Sequence, residues 1–155
     1  MTMDRSFVEL NRKSTERLRA LAARLTDEQL QHPVGEHWTA AIALAHIAFW
    51  ERRALHALDL TQHDGAVNWP DLDIFINDLS LPLWAAVPPR AAANIALDSA
   101  AALDARLEAY PLALLQALYD ISPRLVVRAL HRNEHLDEVE EALREGPRPA
   151  YCGAG

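Results

Sequence analysis

The chain reads as an all-α protein, a bundle of four main helices in a single domain spanning residues 1–155. Three observations predict it. Ala and Leu supply 28 and 24 residues against 18 for Val, Ile and Thr together, a composition weighted toward helix. Only Gly35 and Gly65 precede the glycines of the C-terminal tail, too few turn signals for a β-sandwich or barrel. At 155 residues the chain is long enough to bury a sizeable core without a metal or disulfide to hold it together.

The elements follow from spacing. Phe7, Leu10, Ser14, Leu18, Leu21 and Leu25 recur at three and four residues, the stripe of an amphipathic first helix over about 4–25. Thr26 with Gln29 has the capping-box pattern for one short turn, and Pro33 and Gly35 then break the chain. A second helix runs from about Thr39 to Leu60; its first half is apolar nearly all round, which makes it the central helix. Thr61 to Arg90 holds four prolines and no sustained period, although Leu72 to Leu79 could hold one or two helical turns. This long crossover means the second and third helices need not be antiparallel neighbours. The third helix spans about 90–109, Pro111 ends or kinks it, and Leu112 to Tyr119 forms a short further helix. Ser122-Pro123 supplies an N-cap and first-turn pair for the fourth helix, with a seam of Leu125, Ala129, Arg132, Leu136, Val139 and Leu143. Gly146-Pro147 stops it, and 146–155 reads as a loose tail.

Charge and cysteine content exclude whole classes of function. A net charge of -7 gives no electrostatic basis for nucleic-acid binding. The longest apolar run, Thr39 to Trp50, is too short for a bilayer and contains His46. The start of the chain does not resemble a signal peptide, and the single Cys152 permits no internal disulfide. The expectation is a soluble cytoplasmic protein with no membrane partner. Seven histidines in so acidic a chain are a mild excess and the feature to pursue.

His131 and His135 lie four apart on the fourth helix, so both rings leave one face and can reach a single ion. Both sit roughly 80 to 120° from the centre of the seam, at the edge of the buried face. A pair of solvated or hydrogen-bonded histidines is the alternative. Arg132 stands where a zincin needs its Glu. Arg128, Arg132 and Ala43 stand three residues before His131, His135 and His46, where a di-iron bundle needs Glu. The best third ligand is His46, set among Ile42, Phe49 and Trp50, where an unpartnered imidazole costs free energy. A core histidine bonded to a carbonyl or carboxylate is again the alternative. His32 and His37 fall in the loop before the second helix, His56 lies ten residues past His46, roughly 15 Å along the helix, and His63 falls in the crossover, so none of the four is expected to share an ion with His46.

Pro33-Val34-Gly35-Glu36-His37-Trp38-Thr39, Leu44-Ala45-His46-Ile47 and Glu51, with His131-Arg132-Asn133-Glu134-His135-Leu136 near the C-terminus, resemble the signature of DinB/YfiT-like proteins. Asn77 to Pro88 has the same look, and the resemblance covers about 5–145. It implies an up-down-down-up four-helix bundle, often a homodimer, with a three-histidine site mapping to His46, His131 and His135 that holds nickel, zinc or iron. It also implies thiol-dependent S-transferase or maleylpyruvate-isomerase-like chemistry on a small-molecule thiol or electrophile. Glu134 and Glu138 flank the histidines and could orient an imidazole or carry a proton, or be solvated helix charges. Arg53, two turns beyond His46, could meet a substrate carboxylate or pair with a neighbouring helix. Trp38 and Trp50 are core anchors or pocket walls. Cys152 has no neighbour to stabilise a thiolate. A non-catalytic binding module with structural histidines is the competing reading.

Overall fold

The computed structural model describes residues 3–146. Helix α1 (Ser6–Arg24) is followed by the single turn α2 (Asp27–Leu30). The reciprocal capping box forms as its residues imply: Gln29 N–H donates to Thr26 Oγ1 (3.1 Å) and Thr26 N–H to Gln29 Oε1 (2.9 Å). The Pro/Gly break is more than a break. It is a two-stranded hairpin, β1 (Pro33–Val34) against β2 (Trp38–Thr39), turning through Gly35 at a positive φ of 68°.

Thr39 then caps the central helix α3 (Ala40–Asp64), accepting from Ile42 N–H at 3.2 Å. This helix runs a turn beyond the expected Leu60, to where Gly65 takes the left-handed conformation. Helix α5 (Pro89–Glu108) and the shorter α6 (Leu112–Ile121) match their expected positions closely. No helix among the described residues is long and apolar enough to cross a membrane.

Two elements differ from the expectation. Residues Phe75–Ala86 of the crossover form a helix of three turns, α4, despite Pro82 within it. Its apolar residues do keep a helical period, but Phe75, Leu79 and Leu83 face outward at 66%, 72% and 71% exposure, while only Ser80 and Trp84 are buried. Ser122-Pro123 does not start the last main helix. It opens a 3-10 turn, Pro123–Leu125, and α7 begins at Ala129 and runs to Glu145. The cap comes from another helix: Asn11 accepts from Ala129 N–H (3.0 Å) and donates to Val126 O (2.9 Å). Leu125 therefore lies outside α7, whose buried seam is Ala129, Arg132, Leu136 and Val139. The 147–155 part of the expected tail, with Cys152, lies outside the described residues.

Asn11 also explains a shift on α1. Leu10, expected in the stripe, is half-exposed, while Asn11 and Thr15 are buried beside Ser14, which the stripe included. These three belong to a polar layer between two apolar clusters. One cluster centres on Leu18, Leu44, Ile47, Ala100 and Leu136; the other on Phe7, Leu58, Leu103, Leu115 and Val126. Between them Glu51 and Arg132 are wholly buried. Glu51 accepts from Arg128 Nη2 (2.9 Å) and Nε (3.2 Å), and from Arg132 Nε (3.0 Å). Arg132 also pairs with Asp104 (2.8 Å) and donates to Ser14 and Thr15 Oγ atoms at 3.1 and 2.9 Å. Two carboxylates and two guanidinium groups leave the layer electrically neutral, the condition for charges this deep.

Candidate metal centre

The polar layer sets the register of α7 against α3, and one turn above it the histidines meet. His46 is buried on α3, its ring against Trp38 (centroids 4.7 Å) and edge-on to Trp84 (5.3 Å). His131 and His135, one turn apart on α7, place their rings 5.2 and 4.4 Å from His46 and 4.7 Å from each other. One nitrogen from each of the three lies within 4.8 Å of the others. Among the described residues this is the one such group of histidine, cysteine and carboxylate side chains. His32 instead bonds Ala142 O (3.0 Å), His37 faces Glu36 (3.8 Å) and His63 faces Asp64 (2.9 Å).

Burial, reinforced by His135, pushes the His46 ring down to about 3; burial, then the positive charge of Arg128 and the two other histidines, pushes His131 down to about 2. Both rings are neutral at neutral pH and present lone pairs. His135 Nδ1–H donates to Glu138 Oε2 at 3.0 Å, which leaves the lone pair of its Nε2 available to a metal ion. The donor set suits zinc, nickel, iron or copper. The spacing suits one ion as well: two nitrogens about 2.05 Å from a common centre at a tetrahedral angle lie about 3.3 Å apart, and the Nε2 atoms of His46 and His131 are 3.2 Å apart. Their Nδ1 atoms are buried with no hydrogen-bond partner among the described residues.

A cleft of about 520 Å³ opens onto the three rings. Trp38, Trp50, Leu72 and Leu125 form apolar walls, and Arg53, Arg124, Arg128 and Glu134 line the same space. Trp38 and Trp50, half-buried, are therefore pocket walls as well as packing groups. On the far side of Trp38 and His135 a second hollow of about 550 Å³ carries Glu36, Glu138, Glu141 and Glu145.

The flanking residues divide. Glu138 holds an imidazole; Glu134 does not, pairing instead with Arg124 at 2.8 Å. Arg53 lies in the cleft but makes no ion pair among the described residues: its Nη2 donates to Pro70 O (2.6 Å) and its guanidinium lies over Trp50 at 5.2 Å. Residues not anticipated are Trp84, which packs on His46, and Asn77, which accepts from Trp50 Nε1 (3.1 Å) at the cleft wall. The Glu51–Arg128–Arg132 network behind the site was also unanticipated. Its signal was available: a Glu in the apolar half of α3 and an Arg in the seam of α7 must find one another.

No curated protein and no solved structure gives a significant match to this chain. The DinB superfamily matches it over residues 10–145, a span that contains all three converging histidines, the hairpin that carries Trp38 and the buried Glu51. The chain belongs to the DinB superfamily.

Proposed function

We propose that this is a divalent-metal protein in which His46, His131 and His135 hold one nickel, zinc or iron ion. We further propose that the adjoining cleft carries thiol-linked S-transferase or isomerase chemistry on a small-molecule thiol or electrophile. One observation supports the reading above all: imidazole nitrogens of three histidines on two helices come within 4.8 Å of one another beside an open cleft. An ion there would supply Lewis acidity, making a thiol or water nucleophilic at neutral pH.

The chain's own residues would do the rest. Glu138 orients His135, and Trp38 and Trp84 exclude water from the His46 side. Glu134, kept ionised by its hydrogen bond from Arg124, puts a fixed negative charge on this wall. With Cys152 the single cysteine, a reactive sulfur arrives with a substrate.

The reading takes the protein as cytoplasmic, an up-down-down-up bundle and a homodimer. The packing of α1 and of α3 on both α5 and α7 supports the bundle order. The outward apolar face of α4 supports a second copy; a monomer mass in sedimentation would contradict it.

The second reading, a binding module with structural histidines, draws on one fact: Nε2 of His46 and of His131 can hydrogen-bond each other directly at 3.2 Å. Metal analysis of protein purified without an affinity tag separates the two. The proposal expects about one ion per chain in the wild type and its loss in His131→Ala; no ion above background in the wild type sinks it.

A further inference from the structure

Arg53 stands seven residues after His46 on α3, about 10 Å along the axis and within about 20° of the same face. Helical side chains lean toward the N-terminus, so its guanidinium leans back toward the histidines, in the cleft they share.

Its surroundings are unusual for this molecule. The net charge is -7, and the other cations of the cleft are matched by carboxylates, Arg124 by Glu134 (2.8 Å) and Arg128 by Glu51 (2.9 Å). Arg53 has no ion pair among the described residues. It is held by one backbone carbonyl, Pro70 O, and by the indoles of Trp50 (5.2 Å) and Trp69 (5.7 Å). Partial burial and the nearby charge of Arg128 both disfavour its charged form, and Asp71 opposes them only through space. One edge of the guanidinium is spent on Pro70; the rest makes no hydrogen bond to described protein atoms. A cation positioned by a carbonyl and two aromatic faces, but left without a counter-ion, is arranged to receive one.

We propose that Arg53 is an anion subsite of this cleft and that its ligands are small organic acids. Their carboxylate pairs with the free edge of the guanidinium, and their apolar remainder lies along Leu72, Ile74 and Leu125 toward the three histidines. The planar two-oxygen geometry of a carboxylate matches a guanidinium edge, and the apolar walls favour a hydrocarbon body over a bare inorganic anion. The span from Arg53 to the histidines limits that body to about 10 Å. The inference rests on the proposed function only for what happens at the far end of the ligand.

The test uses tryptophan fluorescence, since Trp50 and Trp69 lie under the guanidinium. EDTA-treated and metal-loaded full-length protein is titrated with hexanoate, its uncharged isostere hexanamide and inorganic phosphate. The expected result in both forms is hexanoate binding at least about ten-fold tighter than hexanamide, and tighter than phosphate. Arg53→Gln removes that preference while leaving hexanamide affinity unchanged; Arg53→Lys keeps part of it. Equal affinity for hexanoate and hexanamide in the wild type overturns the inference without recourse to any variant, as does a preference that survives Arg53→Gln. Phosphate equalling hexanoate overturns the organic-acid assignment. Because the EDTA-treated arm contains no ion, a failed metal reading leaves the carboxylate preference standing, and a failed Arg53 subsite leaves metal binding standing.

Discussion

Glu51→Gln is the most informative single substitution in the interior. Glu51 is wholly buried, and its two oxygens take four hydrogen bonds from Arg128 and Arg132. The amide keeps one acceptor and turns an NH2 group toward one guanidinium, so donor faces donor. Arg132 retains Asp104 and the α1 hydroxyls, which leaves Arg128, whose one other side-chain hydrogen bond among the described residues is to Arg124 O at 2.8 Å, as the uncompensated buried charge. Breaking a buried pair from one side costs about 3 to 5 kcal/mol. At about 2 to 4 °C per kcal/mol for a domain of this size, the melting temperature falls by about 6 to 20 °C. Urea denaturation followed by circular dichroism measures the loss. Arg128→Met completes a double-mutant cycle in which the second substitution, made in the Glu51→Gln background, recovers stability instead of adding to the damage. A loss below about 1 kcal/mol, or strictly additive effects, would refute the assignment of the polar layer as a coupled charge network.

Three further outcomes follow from the same structure. Glu138→Gln weakens the orientation of His135 and lowers affinity for a divalent ion about 10- to 100-fold, read by competition with a chromophoric chelator; unchanged affinity would mean the 3.0 Å contact is incidental. In EDTA-treated protein, His46 and His131 stay neutral while their unfolded counterparts protonate below about 6.5. Their contribution to stability is therefore complete above that pH. It falls by about 1.4 kcal/mol per ring for each pH unit between about 6 and 4, and a His46→Gln/His131→Gln variant with the same pH slope as the wild type would contradict this. Asn11→Ala removes both bonds that start α7 and costs about 1 to 3 kcal/mol, with hydrogen exchange rising first at Ala129; a loss under a few tenths would place the cap elsewhere.

Much of this architecture is legible from residues that act locally. The capping box at Thr26 and Gln29, the apolar start of α3 and the proline at the start of α5 each specify their element from within a few positions. The failures are non-local. The start of α7 is hidden because its cap is supplied by Asn11, 118 residues earlier. Helix α4 is hidden because its period lies on the exposed side, where the pattern of an amphipathic helix is inverted. The polar layer is hidden because Asn11 and Thr15 look individually like surface residues; Glu51 in the apolar half of α3 and Arg132 in the seam of α7 carry a signal of burial, but only their mutual neutralisation across two helices shows how both can be buried. The histidines are legible for the opposite reason. The i, i+4 spacing on α7 and the apolar setting of His46 each constrain a ring locally, and one packing contact between α3 and α7 is then enough to bring them together.

The central claim is that three specific histidines make one site. Titration of EDTA-treated protein with a single divalent ion, followed calorimetrically, tests it residue by residue when wild type is compared with His46→Gln, His131→Gln and His135→Gln, and with His32→Gln and His56→Gln as controls. The account predicts one ion per chain in the wild type and in both controls, with binding lost or weakened at least about a hundredfold in each of the other three. Binding that persists in all three of those variants, or a wild type that takes up no ion, would contradict it.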